Sequence, residues 1–159
     1  MKLIRGGTVV NANHTGRYDV LIVGEKIAAL IDPRSDMLDS LEGWDCEILD
    51  ASGKYVIPGG VDSHVHLQLP MSDEATSNDT FESGTQAAAW GGTTTVIDFA
   101  GQIKGSSVPD AIESRLAEAE GQCAIDYSLH LSVGDVHAQS LIDIRNTIDS
   151  GITSFKLFM

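Results

Sequence analysis

Cysteine is almost missing from this sequence: Cys46 and Cys123 are the only two, far apart and without CxxC spacing. That excludes a disulfide framework and a thiolate zinc site, and leaves both as packing residues. Basic residues are also scarce, 10 Lys and Arg against 23 Asp and Glu, for a formal charge of -13. Such a balance repels phosphate backbones and anionic lipid, so it argues against a nucleic-acid or membrane partner and favours solubility. No apolar run approaches the ~20 residues of a membrane span. The N-terminus lacks a basic-then-apolar leader, so a cytoplasmic location is expected. Repeats and low-complexity tracts are missing too.

What is present centres on Pro58-Gly59-Gly60-Val61-Asp62-Ser63-His64-Val65-His66. The preceding Tyr55-Val56-Ile57 reads as a short apolar strand, and Pro-Gly-Gly lets the backbone turn sharply. In extended chain, residues two apart share a face, so His64 and His66 project together and can chelate a divalent metal. A buried histidine can instead be a core residue satisfied by hydrogen bonds.

The second anchor is Gly151-Ile152-Thr153-Ser154-Phe155-Lys156-Leu157-Phe158-Met159, whose core reads as a strand with Lys156 as its only charge. A lysine there can lose its charge by burial and act as base or nucleophile. It can react with carbon dioxide to give a carbamate able to bridge two metals, or it can snorkel at the strand end.

Between these anchors the pattern alternates. Asp79 and Glu82 have capping-box spacing before the Ala-rich run Phe81 to Trp90, and Thr93 to Phe99 is a nearly continuous β-branched strand. A helix is expected from Ser106 to Gly121, with Ile112, Leu116 and Ala119 on one stripe, then a strand from Ala124 to Val133. A third helix is expected from Asp135 to Ser150, with Leu141, Ile144 and Ile148 on one face. The order β-α-β-α-β-α-β from Tyr55 onward specifies a parallel sheet with right-handed crossovers, half of a (β/α)8 TIM barrel. Residues 1–57 read as an all-β segment with a hairpin at Gly24-Glu25-Lys26, and the barrel portion as residues 58–159. Asp32 to Asp45 reads as an acidic loop, and Leu67 to Asn78 as a polar connector suited to shaping a pocket. A whole barrel takes about 250 residues, so the expectation is the N-terminal portion of a longer protein, stopping in the fourth barrel strand.

The segments Gly59 to His66, Asp79 to Thr85, Gly91 to Phe99 and Ser154 to Met159 together resemble, in order, the dihydropyrimidinase and D-hydantoinase branch of the cyclic amidohydrolases. The resemblance runs over the whole chain. It implies an α/β fold, a metal-dependent TIM barrel preceded by part of a small β-sandwich. It also implies two divalent metal ions, most often zinc, with His64 and His66 holding one and carbamylated Lys156 bridging both. The implied reaction is hydrolysis of a dihydropyrimidine or 5-substituted hydantoin to an N-carbamoyl amino acid by a metal-bridging hydroxide, in a full-length homotetramer. Two further histidines and an aspartate are expected beyond residue 159, so these residues alone should be inactive.

Asp62 and Asp98, each within such a motif, are candidates for orienting ligands. Gln68 stands where dihydroorotases carry an arginine for the substrate carboxylate, and a neutral amide cannot make that charge-assisted pair. This weakens dihydroorotase and allantoinase as alternatives. A scaffold of the collapsin response mediator type is the alternative from another class. Retention of His64, His66 and Lys156 favours the enzyme. Of the other histidines, His14 and His137 read as surface residues and His130 as a polar core residue.

Overall fold

The structure is a computed structural model and describes residues 1–37, 44–72 and 75–158. Residues 38–43 of the acidic loop, residues 73–74 of the polar connector and Met159 of the last strand lie outside the described residues. The chain divides into two compact units, Met1–Pro58 and Gly59–Met159.

Among its described residues the first unit contains the strands β1 (Lys2–Arg5), β2 (Thr8–Val10), β3 (Thr15–Arg17), β4 (Asp19–Val23), β5 (Lys26–Ile31), β6 (Glu47–Asp50) and β7 (Tyr55–Val56). They form a four-stranded sheet in the order β5-β4-β1-β6 and a three-stranded sheet in the order β3-β2-β7. The expected hairpin is β4–β5, where Val23 faces Lys26. Gly24, at φ 60°, supplies the left-handed turn that a side chain would strain. Leu3, Leu21 and Ile31 form a core beneath the larger sheet.

One expectation is corrected here. Tyr55 and Val56 do not open the parallel sheet; they pair with Thr8 and Val9 of β2. Pro58, lacking an N–H, cannot extend that ladder. The parallel sheet begins instead at β8 (Gly60–Asp62), a glycine-containing strand of low intrinsic propensity that is stabilised by pairing with its neighbour.

In the second unit β8 is followed by the short antiparallel pair β9 (Pro70–Ser72) and β10 (Ala75–Thr76), where a strandless connector was expected. Then come α1 (Phe81–Trp90), β11 (Thr93–Gly101), α2 (Val108–Ala119), β12 (Asp126–Val133), α3 (Ala138–Asp149) and β13 (Phe155–Leu157). β8, β11, β12 and β13 form one parallel sheet in which each strand lies beside its predecessor. This is a partial barrel of the expected α/β kind.

Apolar burial fixes which face of the sheet the helices cover. Ala100, Leu129, Leu131 and Val133 from the strands pack with Val108 and Ile112 of α2 and with Ile152. Since side chains alternate along a strand, Phe99, His130 and Lys156 point the other way, to the concave side. The register sets Phe99 opposite His130 and Ser132 opposite Lys156.

The helices depart from expectation in their ends and faces. The N-cap of α1 is Thr80, not Asp79. Its hydroxyl accepts from Ser83 N at 3.1 Å, and Ser83 Oγ accepts from Thr80 N at 3.0 Å, so Ser83 takes the place given to Glu82. On α2, Ile112 and Ala119 are buried as expected, but Leu116 is 41% exposed while Arg115 is buried. On α3, capped by His137, Leu141 and Ile148 are exposed and Ile144 alone of the three packs against the core.

Candidate functional site

His64, Val65 and His66 continue past the end of β8, and Val65 N still donates to Ile97 O of β11 at 3.2 Å. The segment therefore runs beside the sheet while its side chains reach the concave face. The structure brings His64, His66 and Lys156 together around one ring, that of Phe99. Its centroid lies 4.7 Å from that of His64 and 4.9 Å from that of His66, and Lys156 Nζ sits 4.3 Å above it. The two imidazole centroids are 5.1 Å apart.

His66 carries the clearest chemical signal. Its Nδ1 is buried and has no hydrogen-bond partner, an unusual condition for a ring nitrogen. Burial, reinforced by the charge of Lys156, pushes its pKa below the ordinary imidazole value of 6.5, against a smaller opposing pull from Asp98. The ring is thereby held neutral near pH 7, the form in which imidazole binds a metal. Among the described residues no three His, Cys, Asp or Glu side chains converge to hold a metal ion. The chain thus offers two imidazoles and one amine, and the amine becomes an oxygen donor only as a carbamate.

The backbone carrying the pair is tied from several sides. Asp62 Oδ1 accepts from His64 N at 3.1 Å, and the Ser77 hydroxyl donates to His66 O at 3.1 Å. Asp98 is fully buried; its Oδ2 accepts from Leu67 N at 3.1 Å and its Oδ1 from Phe99 N at 2.6 Å. Both aspartates thus act on the peptide segment that bears the histidines. Gln68 does not face the ring. Its Oε1 accepts from Phe81 N at 3.0 Å at the start of α1, with Gln68 itself at φ 49°.

Two residues escaped the sequence reading. His130 is not simply a core residue: its ring lies 4.9 Å from Phe99, completing the cluster. Its Nε2 donates to Ser63 O at 2.8 Å, next to His64, and its Nδ1 is hydrogen-bonded to the Ser154 hydroxyl. Arg115, which carried no motif, lies buried with its guanidinium 2.7 Å from Asp98 Oδ2. The available signal for His130 was its phase on β12, opposite to that of Leu129 and Leu131. For Arg115 there was none.

At the carboxyl end of β11, against α2, opens a cavity of about 490 Å³ lined by Phe99, Leu69, Ile103, Asp110, Arg115 and Glu118 among others; His64, His66 and Lys156 do not line it. This is the end of a parallel barrel where ligands bind. A second groove, of about 650 Å³, lies between α2 and α3 and carries the carboxylates Glu113, Glu120 and Asp143.

Comparison with known proteins follows the same outline. Residues 55–158 match the family model described as "Amidohydrolase family". The chain is 45% identical to a D-hydantoinase of Streptomyces coelicolor over 157 residues, covering 99% of this chain and 33% of the relative. It is 41% identical to a dihydropyrimidinase of Rattus norvegicus, covering 99% of this chain and 30% of the relative. The crystal structure of a dihydropyrimidinase from Brevibacillus agri superimposes with a TM-score of 0.89 at 42% identity, covering 99% of this chain and 33% of that one. The chain spans about a third of the length of these relatives.

Proposed function

The chain belongs to the amidohydrolase family, and from that premise we propose that the protein carrying it hydrolyses a cyclic amide, a dihydropyrimidine or a 5-substituted hydantoin. Water adds across a ring C–N bond: hydroxyl goes to the carbonyl carbon, the proton goes to nitrogen, and an N-carbamoyl amino acid results. The observation that carries this reading is the gathering of His64, His66 and Lys156 on the ring of Phe99, on the concave face of the parallel sheet.

In this proposal two divalent metal ions, most often zinc, occupy the site; bound there, they would lower the pKa of water and polarise the substrate carbonyl. His64 and His66 supply neutral imidazole donors. Lys156 contributes after its neutral amine adds to carbon dioxide, forming an N–C bond and releasing one proton. The anionic carbamate then offers two oxygens and offsets part of the cationic charge. Asp62 and Asp98 keep the histidine segment in place, and His130 holds the carbonyl beside His64.

The test is ring opening of dihydrouracil and hydantoin by the full-length natural polypeptide that carries this chain, with zinc and bicarbonate supplied. Activity that Lys156→Ala reduces by several orders of magnitude is the expected result. A folded, metal-supplied protein that opens neither ring would instead indicate a non-catalytic scaffold.

A further inference from the structure

The backbone of Leu67, the residue that follows His66, is held at both its N–H and its C=O. Leu67 N donates to Asp98 Oδ2 at 3.1 Å, and Leu67 O accepts from Arg115 Nη2, which also donates to Asp98 Oδ2 at 2.7 Å. One carboxylate from β11 and one guanidinium from α2 thus close a ring of hydrogen bonds around Leu67. Both charges are buried, Arg115 at 7% exposure and Asp98 at 0%.

Arg115 is itself fixed. Its Nη1 donates to Glu118 Oε2 at 2.5 Å, and its guanidinium carbon lies 4.5 Å from the centroid of Phe81 at the start of α1. Its Nε has no partner. Placing an ion pair where water is excluded costs desolvation free energy, and such pairs give no dependable gain in stability. What this pair does contribute is geometric. It joins α1, α2 and β11 to the residue adjoining His66, whose own Nδ1 is buried and unpartnered.

We propose that Arg115 is a positioning residue which, through Asp98 and the Leu67 peptide, fixes His66 and so sets the affinity of the site for a divalent metal. The inference rests on the metal-site reading given above. It adds a residue without any metal-ligating chemistry of its own, on the far side of the sheet from the ligands. Groups that orient a metal ligand typically change metal affinity about 10–100-fold when removed.

The experiment titrates the metal-free full-length polypeptide with Zn²⁺ alone against a chromophoric competitor, and follows thermal unfolding in parallel. Arg115→Met is expected to weaken zinc binding about 10–100-fold, and Arg115→Lys, which keeps a charge against Asp98 on a shorter reach, about tenfold. In a His66→Ala background neither substitution should weaken binding further, because the effect is transmitted through His66. If Arg115→Met does not fold, Arg115→Lys decides. A folded Arg115→Lys protein with wild-type affinity, or an undiminished effect in the His66→Ala background, overturns the proposal and leaves Arg115 a packing residue. Failure of the wild-type protein to bind zinc, or wild-type affinity in His66→Ala alone, overturns the metal-site reading itself, and is seen before Arg115 is altered.

Discussion

At the scale of single residues, the proposed chemistry depends on keeping His66 neutral. Its pKa is depressed chiefly by burial and then by the charge of Lys156, so the unfolded chain binds a proton more readily than the folded one. The sign follows: the folded state gains above pH 6.5 and loses that advantage as pH falls through the lower native value. In the metal-free protein, NMR titration of His66 should give a midpoint below 6.5. A midpoint at or above 6.5 would contradict the environment described here. The clustering of His64, His66 and Lys156 was legible because their residue types are costly where they stand: two imidazoles in phase on an extended segment and a lone charge in an apolar strand. His130 and Arg115 were not. Their roles come from contacts with Ser63 and Leu67, distant in sequence, and nothing local marks such partners.

At the scale of elements, α1 provides a sharp test of local reasoning. Thr80, not Asp79, has the extended backbone of a cap and the hydroxyl bonded to Ser83 N. Thr80→Ala should therefore lower stability by about 1 kcal/mol in chemical denaturation. Asp79→Ala should cost distinctly less, since among the described residues its carboxylate accepts from the Ser83 hydroxyl alone, at 3.4 Å. Equal effects would restore the cap to Asp79. Helix and strand identities along the barrel portion were readable from periodicity and from glycines at the boundaries. The first parallel strand was misplaced because Tyr55-Val56-Ile57 has the stronger β propensity, whereas Gly60-Val61-Asp62 becomes a strand only through pairing with β11. Helix faces were harder still. On α2 the buried position adjoining the expected stripe is Arg115, whose burial follows from Asp98 rather than from hydropathy. On α3, Leu141 and Ile148 stay exposed although their spacing is apolar and periodic.

At the scale of the whole molecule, the parallel sheet ends in β8 and β13, each hydrogen-bonded to one neighbour. Val61 is 62% exposed, Leu157 66% and Phe158 76%. Open strand edges bearing apolar side chains recruit further strands. A polypeptide of these 159 residues expressed alone should accordingly self-associate, read as a mass above the monomer by light scattering, and should open no dihydrouracil ring. A stable, active monomer of that length would contradict the partial-barrel account. The central claim is that His64, His66 and carbamylated Lys156 form one metal-holding unit, and its most direct test is zinc content together with ¹³C NMR after loading the full-length polypeptide with zinc and ¹³C-bicarbonate. Bound zinc with a carbamate carbon signal is expected, the signal absent in Lys156→Ala and the zinc diminished in His64→Ala and His66→Ala. A folded protein that takes up neither zinc nor labelled carbon would contradict the account.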